Sequence, residues 1–448
     1  MKLTARQEKL LKLTYVDFQQ TRDFIASPLI IDRAEGLYYW DEEGKRYFDA
    51  IGGIFVAILG HRHPRVMDAV FKQMEKITFA PPLHGISNKA LDFVEKLGSI
   101  TPDHLNYIKP FSGGSESTEA AMKFVRQYFK QTGCGEKYKF VSFYQGYHGA
   151  TFGAMAASGT GKRKTKFEPQ MGGFIKVFNP LHFRDRFDTW EAANQFAAQT
   201  VEDVIVHEDP DTVAGVILEP ISNTGGIVTP TDAFFKMLKS TCNRHHVMLI
   251  FDEVITGFGR TGNMFAAQTF DTEPDIICAG KALSSGVLPL GAMMAREDMK
   301  EAFYGPAEDE VQFAHGHTYA GNPLACAAGI AVIDEIVEKG LDRKAQALGA
   351  YMAEKLNGLK KYGVVREVRG KGMIRGVELV KDTKRMEPFH ELGNALKKTS
   401  IKNGIILRIN PDWFAVAPAL IADQSDIDEM VDRIELSLKD ALEAVAGG

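Results

Sequence analysis

Val247-Met-Leu-Ile-Phe-Asp-Glu253 is a run of five apolar residues that stops on two carboxylates. A strand with one wet face alternates apolar and polar side chains, whereas a strand covered on both faces, as in a parallel sheet, is apolar throughout. Three further runs read the same way: Lys139 to Phe143, Val213 to Leu218 and Asp275 to Ala279. From about residue 61 such runs alternate with helical stretches, including Pro64 to Ile77 and Asn88 to Leu97. That alternation is the pattern of an α/β fold built on a large, mainly parallel central sheet. Toward the N-terminus, Gly36-Leu-Tyr-Tyr-Trp40, a Glu-Glu-Gly turn and Lys45-Arg-Tyr-Phe-Asp49 predict a hairpin. Beyond about residue 335, Met373 to Val380, Ile405 to Ile409 and Phe414 to Ala417 read as strands. Glu391 to Asn403 and Ser425 to Glu443 read as amphipathic helices. The expected organisation is a large domain over 61–334 and a smaller α+β domain built from both chain ends, 1–60 and 335–448.

At 448 residues the chain is longer than one hydrophobic core usually serves. A hydrophobic content of 45% and a charged content of 25% are those of an ordinary globular protein. The net charge of −5 gives no reason to invoke nucleic acid or an anionic membrane surface. The one basic run, Lys162-Arg163-Lys164, reads as a solvated loop. Cys134, Cys242, Cys278 and Cys326 are far apart and form no CxxC pair, which argues against a disulfide framework or a zinc site and for a reducing, cytoplasmic location. Met1 to Gln20 lacks the apolar core of a secretion signal, and no stretch approaches the roughly 18 apolar residues of a membrane span. His61 and His63 form an HxH with no third ligand nearby, so no metal is expected.

The chemistry gathers where strands end. Val213 to Leu218 runs into Glu219-Pro220, Val247 to Phe251 into Asp252-Glu253, and Asp275-Ile-Ile-Cys-Ala-Gly280 into Lys281. In open α/β sheets ligands sit at the carboxyl ends of the strands. One charge there is most often structural; two carboxylates and a lysine at equivalent strand ends describe a pocket. A second feature accompanies them: Phe111-Ser-Gly-Gly-Ser-Glu-Ser-Thr-Glu119, a glycine-rich turn opening into a helix over Ala120 to Lys130. Free amides and the helix dipole favour an anion at such a point. Taken alone it reads more readily as an ordinary Ser/Gly helix cap. It has neither the Gly-Lys-Ser/Thr of a Walker loop nor a GxGxxG fingerprint, so a single phosphate is the simpler tenant.

Ser112-Gly-Gly-Ser-Glu-Ser-Thr-Glu119, Tyr147-His-Gly149, Phe251-Asp-Glu-Val-Ile-Thr-Gly-Phe-Gly-Arg260, Lys281 and His317-Thr-Tyr-Ala-Gly-Asn-Pro323 stand in the order seen in class III aminotransferases. The chain resembles that family from about Gly36 to its C-terminus. The resemblance implies the type I fold of pyridoxal-phosphate enzymes, with pyridoxal 5′-phosphate held by Lys281 as a Schiff base. By the same resemblance Asp252 would pair with the pyridinium nitrogen, Val254 and Tyr147 would cover the two ring faces, and the amides of Gly114 and Ser115 would hold the phosphate. Glu219 would orient its neighbours. Thr318 would reach the phosphate bound in a second subunit, which implies a homodimer with its active site at the interface, and such dimers could pair into a tetramer.

Arg408, in Gly404-Ile-Ile-Leu-Arg-Ile409, resembles the arginine with which many members bind a substrate carboxylate, and Ile54, Phe55 and Leu83 resemble pocket walls. Two positions depart from the 4-aminobutyrate and acetylornithine members. Ala150 follows Tyr147-His-Gly149 where those relatives tend to carry an arginine, and Thr224 stands where they tend to carry a glutamate. With one carboxylate-binding arginine left, the expected reaction moves an amino group from an amine or ω-amino acid to a small keto acid such as pyruvate, by a ping-pong mechanism. The alternative on the same scaffold is an amino-acid racemase or epimerase, which would return the proton to Cα.

Overall fold

The computed structural model describes residues 3–384 and 386–447. Its strands are, in chain order, β1 Ile31–Glu35, β2 Tyr38–Asp41, β3 Arg46–Asp49, β4 Tyr107–Phe111, β5 Lys139–Phe143, β6 Phe174–Val177, β7 Val213–Leu218, β8 Met248–Asp252, β9 Ile276–Ala279, β10 Gly291–Ala295, β11 Val365–Lys371, β12 Ile374–Leu379, β13 Ile405–Ile406, β14 Arg408–Asn410 and β15 Trp413–Val416. Seven of them form the central sheet, in the order β4-β10-β9-β8-β7-β5-β6. β6, β5, β7, β8 and β9 run parallel, and β10 is inserted antiparallel between β9 and β4.

The apolar runs are buried on both faces, which is why they do not alternate. Met248 and Ile250 of β8 join the cluster that includes Phe124 and Val125 of the helix Gly114–Gln131. Leu249 and Phe251, pointing the other way, join a cluster with Phe234, Phe235 and Leu238 of the helix Asp232–Arg244. Each full burial of such a side chain contributes roughly 1.5–3 kcal/mol. The sheet is therefore a rigid platform, and the chain segments leaving its carboxyl edge are fixed in space.

β2 and β3 form the expected hairpin, with Tyr38 opposite Phe48. The far end of the chain completes that sheet, because β13 adds parallel to β3 through Ile405 and Phe48. The single strand expected over Ile405 to Ile409 is divided at Leu407: β14 leaves for another sheet, pairing Arg408 with Ala415 of β15. Two strands in different sheets, joined by one residue, look identical to one strand by periodicity.

The helix expected over Ala120–Lys130 begins earlier, at Gly114. β1, β4, β6, β10 and β11 add to the expected strands. β10, Gly-Ala-Met-Met-Ala, carries no β-branched or aromatic residue and so gives no strand signal. All four cysteines are unpaired. Among the described residues no helix is long and apolar enough to cross a membrane, and no group of His, Cys, Asp and Glu could hold a metal. His61 and His63 each face a carboxylate instead: Asp49 at 2.8 Å and Glu335 at 3.2 Å.

Candidate active site

A cavity of about 270 Å³ opens at the carboxyl edge of the central sheet, lined by residues that follow β4, β5, β7, β8 and β9. Lys281 enters it two residues beyond β9, at the first position of a tight turn over Lys281–Ser284. Its φ of +41° lies in the left-handed region, where a side chain with a Cβ is strained by about 1–3 kcal/mol. The neighbours of the lysine hold it in that conformation. Lys281 is partly accessible through the cavity, yet enough protein surrounds its amine that desolvation pulls the pKa below that of a free lysine. Asp252 and Glu219 oppose that shift, while Arg408 and Arg163 add to it.

Asp252 ends β8 and is 4% exposed. Both of its oxygens are fixed. Oδ2 accepts a hydrogen bond of 2.8 Å from Nδ1 of His148, and Oδ1 accepts one of 3.2 Å from the amide of Val254. The histidine thus aims the carboxylate, and Val254 is placed by the same turn. Glu219 accepts hydrogen bonds from the amides of Tyr147 at 2.9 Å and Asn223 at 3.2 Å. Its role is to hold two loops in register. Burial, with Asp252 adding, raises its pKa, while His148 and those two amides pull the other way.

The helix Gly114–Gln131 points its N-terminus into the cavity, and no side chain caps it. Its first amides are therefore available to an anion. Glycine is required at 114 by close approach: a Cβ there would stand 2.9 Å from both methyl groups of Val254. Valine is stiff at χ1 and cannot swing away cheaply. Gly114→Ala is expected to cost about 1–3 kcal/mol and to displace Val254. Thermal unfolding with and without added cofactor would check this, the difference between the two melting points shrinking in the variant.

The donor set fits pyridoxal phosphate. Asp252 suits a protonated ring nitrogen, the uncapped helix start suits a phosphate, Val254 and Tyr147 supply two walls, and Lys281 supplies the amine. Asn223 lines the same cavity at 3% exposure, with an Oδ1 that has no hydrogen-bond partner.

Of the residues expected in the site, Gly114, Ser115, Tyr147, Glu219, Asp252, Val254, Lys281, Arg408, Ile54 and Phe55 all line this cavity. Leu83 does not, and neither does Thr318, which was expected to serve a second subunit's site. They line a second, larger cavity of about 790 Å³, walled by residues 79–87 and 313–318. Arg408, at the start of β14, lies over the rings of Phe55 at 5.8 Å and Trp413 at 5.5 Å. Burial, reinforced by the charge of Arg163, lowers its pKa to about 10, so it keeps its charge at neutral pH.

The expectation that Lys162-Arg163-Lys164 is a solvated loop fails at Arg163. Its guanidinium lies 4.8 Å from the ring centre of Tyr147 and 4.2 Å from that of Phe18, and both Phe18 and Arg163 line the cavity. The reason is the segment before it. Gly159 hydrogen-bonds back to Gly146, and a Cβ at 159 would collide with the carbonyl of Phe143, so the chain returns tightly onto the Tyr147 loop. Composition carries no trace of that return. His148, by contrast, stood in a recognised motif, and its pairing with Asp252 was within reach of the sequence.

Comparison with known proteins agrees with this geometry. The profile of the Aminotransferase class-III family matches residues 20–438. An omega-aminotransferase of Caulobacter vibrioides is 31% identical over 430 residues, covering 94% of this chain and 95% of its own. An omega-amino acid–pyruvate aminotransferase of Pseudomonas putida is 28% identical, covering 94% of both chains. The crystal structure of the omega transaminase from Pseudomonas jessenii in complex with PMP superposes with a TM-score of 0.94 at 30% identity, covering 99% of this chain and 100% of that one.

Proposed function

Because the chain belongs to the class III aminotransferases and is a pyridoxal-phosphate-dependent transaminase, we propose that it transfers an amino group from an amine or ω-amino acid to pyruvate in a ping-pong cycle centred on Lys281. The observation that carries the acceptor assignment is Arg408. Its guanidinium lines the same cavity as Lys281, and among the described residues no carboxylate pairs with it. Thr224, which also lines the cavity, carries no charge to pair with it, and Glu219 is the carboxylate that acts on it from a distance. A planar carboxylate next to the reacting carbon suits a guanidinium at that point. The Pseudomonas putida relative, by its name, uses pyruvate. A racemase reading finds no support among these relatives.

When bound, pyridoxal phosphate supplies the electron sink that stabilises negative charge at the substrate carbon. The chain's own residues do the rest. Lys281 Nζ, held neutral more often by desolvation, takes the proton from the carbon that bears the amino group and hands it on. Asp252, fixed by His148 and the Val254 amide, keeps its charge facing the cavity. Amides at the start of the helix Gly114–Gln131 bind the phosphate. Ile54 and Phe55 wall the substrate side.

Two chains would associate so that Thr318 and Leu83 of one close the site of the other. The 790 Å³ cavity that both line supports this, since Leu83 is 92% exposed and Ile86 and Tyr319 stand bare beside it. Such a stretch of apolar surface marks an association face. The unpaired cysteines, Cys134 exposed among them, fit a cytoplasmic location.

Arg408→Ala is expected to raise the KM for pyruvate by roughly 10- to 150-fold, the worth of a lost charge-assisted pair at about 1.5–3 kcal/mol. Steady-state kinetics with pyruvate and 2-oxoglutarate as competing acceptors would check it. A wild-type preference for 2-oxoglutarate would overturn the acceptor assignment.

A further inference from the structure

Arg163 is a second guanidinium in the cavity for which the reaction outlined above has no use. Its Cζ lies 4.2 Å from the ring centre of Phe18 and 4.8 Å from that of Tyr147. Among the described residues no carboxylate pairs with it and its side chain makes no hydrogen bond, while its backbone amide donates to the carbonyl of Thr160. A guanidinium packed on aromatic rings with no carboxylate partner still has its forked N–H groups to offer, and that fork is shaped for a planar or tetrahedral oxyanion. The cations facing this cavity, Lys281, Arg163 and Arg408, outnumber the carboxylates, Asp252 and Glu219.

The two arginines stand at different depths. Arg408 lies against Phe55, which is fully buried, and Trp413, which is nearly so. Arg163 lies under Phe18, which is 71% exposed, at the mouth. A keto acid of pyruvate's size has its only anion beside the reacting carbon and is satisfied by Arg408. An anion several bonds from the reacting carbon would extend outward. We propose that Arg163 binds the distal carboxylate or sulfonate of the amino donor, so that the preferred donors are ω-amino acids and aminosulfonates rather than uncharged amines. This rests on the reading above that Arg408 takes the acceptor's carboxylate.

The test separates the two half-reactions. Wild type, Arg163→Leu and Arg163→Lys, each loaded with cofactor, are mixed with β-alanine or propylamine without any acceptor, and the loss of yellow absorbance is followed. The expected result is that Arg163→Leu lowers the ratio of kcat/KM for β-alanine over that for propylamine by at least about tenfold, through KM, and that Arg163→Lys restores part of it. Propane-1-sulfonate, which has no amine, should compete with β-alanine in the wild type and lose that competition in the leucine variant. Equal losses for both donors would overturn the proposal, leaving the arginine a staple between Phe18 and Tyr147. So would no change in the ratio. A loss confined to amination of 2-oxoglutarate by the pyridoxamine form would overturn it too, moving Arg163 to the acceptor. If the wild type failed to aminate pyruvate, the acceptor assignment would fall, while the β-alanine to propylamine ratio would still decide the role of Arg163.

Discussion

Lys281→Ala is expected to lower transamination by at least about 10⁴-fold, the upper end of what a positioned acid–base group contributes. The loss is that large because one side chain does two tasks, covalent attachment and proton transfer. Folding should survive. Alanine at φ +41° carries the same backbone strain as lysine, and the substitution removes an amine whose charged form is already penalised by burial. The variant should still take up the cofactor through Asp252 and the start of the helix Gly114–Gln131, without the yellow absorbance of the lysine-bound form. A small exogenous amine such as methylamine should recover part of the rate. Activity within tenfold of wild type would remove Lys281 from the centre of the mechanism.

Asp252→Asn is the second large effect. A buried carboxylate facing a buried cation is worth about 3–5 kcal/mol when one partner is lost, which is two to three and a half powers of ten in rate. The asparagine keeps the shape, and its carbonyl oxygen can still accept from Nδ1 of His148, but its amide nitrogen then faces the Val254 amide, which loses its acceptor at a cost of about 1–3 kcal/mol. What is lost is the charge that favours a protonated ring nitrogen. The expected outcome is a fall in kcat of about 10²- to 10⁴-fold, read by stopped-flow absorbance of the donor half-reaction, with only a modest drop in melting temperature. A fall of less than about threefold would show that this carboxylate is structural.

Much of the platform was legible because its physics is local. β7 and β8 are apolar on both faces since each face meets a different core, Leu249 and Phe251 on one side, Met248 and Ile250 on the other. Their last residues carry the charges because a strand that ends at a cavity leaves its next side chain there. Lys281, Asp252 and Glu219 could be read from that rule, and the family resemblance agreed with it. Other elements gave no signal. β10 has methionines and alanines where strands usually carry branched side chains, and it is held by pairing on both edges. Leu407 divides what periodicity reads as one strand, a decision made by sheets formed from residues far away in sequence.

Arg163 was misread for the same reason. A charge run in a loop is solvated unless the loop is tied back, and the tie is the contact of Gly159 with Gly146 and Phe143. Counting arginines from motifs left one for substrate; the folded chain brings two. Leu83 shows the converse, a residue named by resemblance as a wall of this site that a single chain places in another cavity, beside Thr318, which was expected to serve a second subunit. A second chain would be needed to bring them to such a site.

The most direct test of the central claim is the absorbance of cofactor-loaded protein, recorded with excess amino donor and no keto acid, then after pyruvate is added. If Lys281-centred transamination to pyruvate holds, the yellow absorbance disappears with the donor, stays absent, and returns on addition of pyruvate in proportion to the alanine formed. A yellow band that persists through the donor, while an optically pure amino acid loses its rotation, would contradict it.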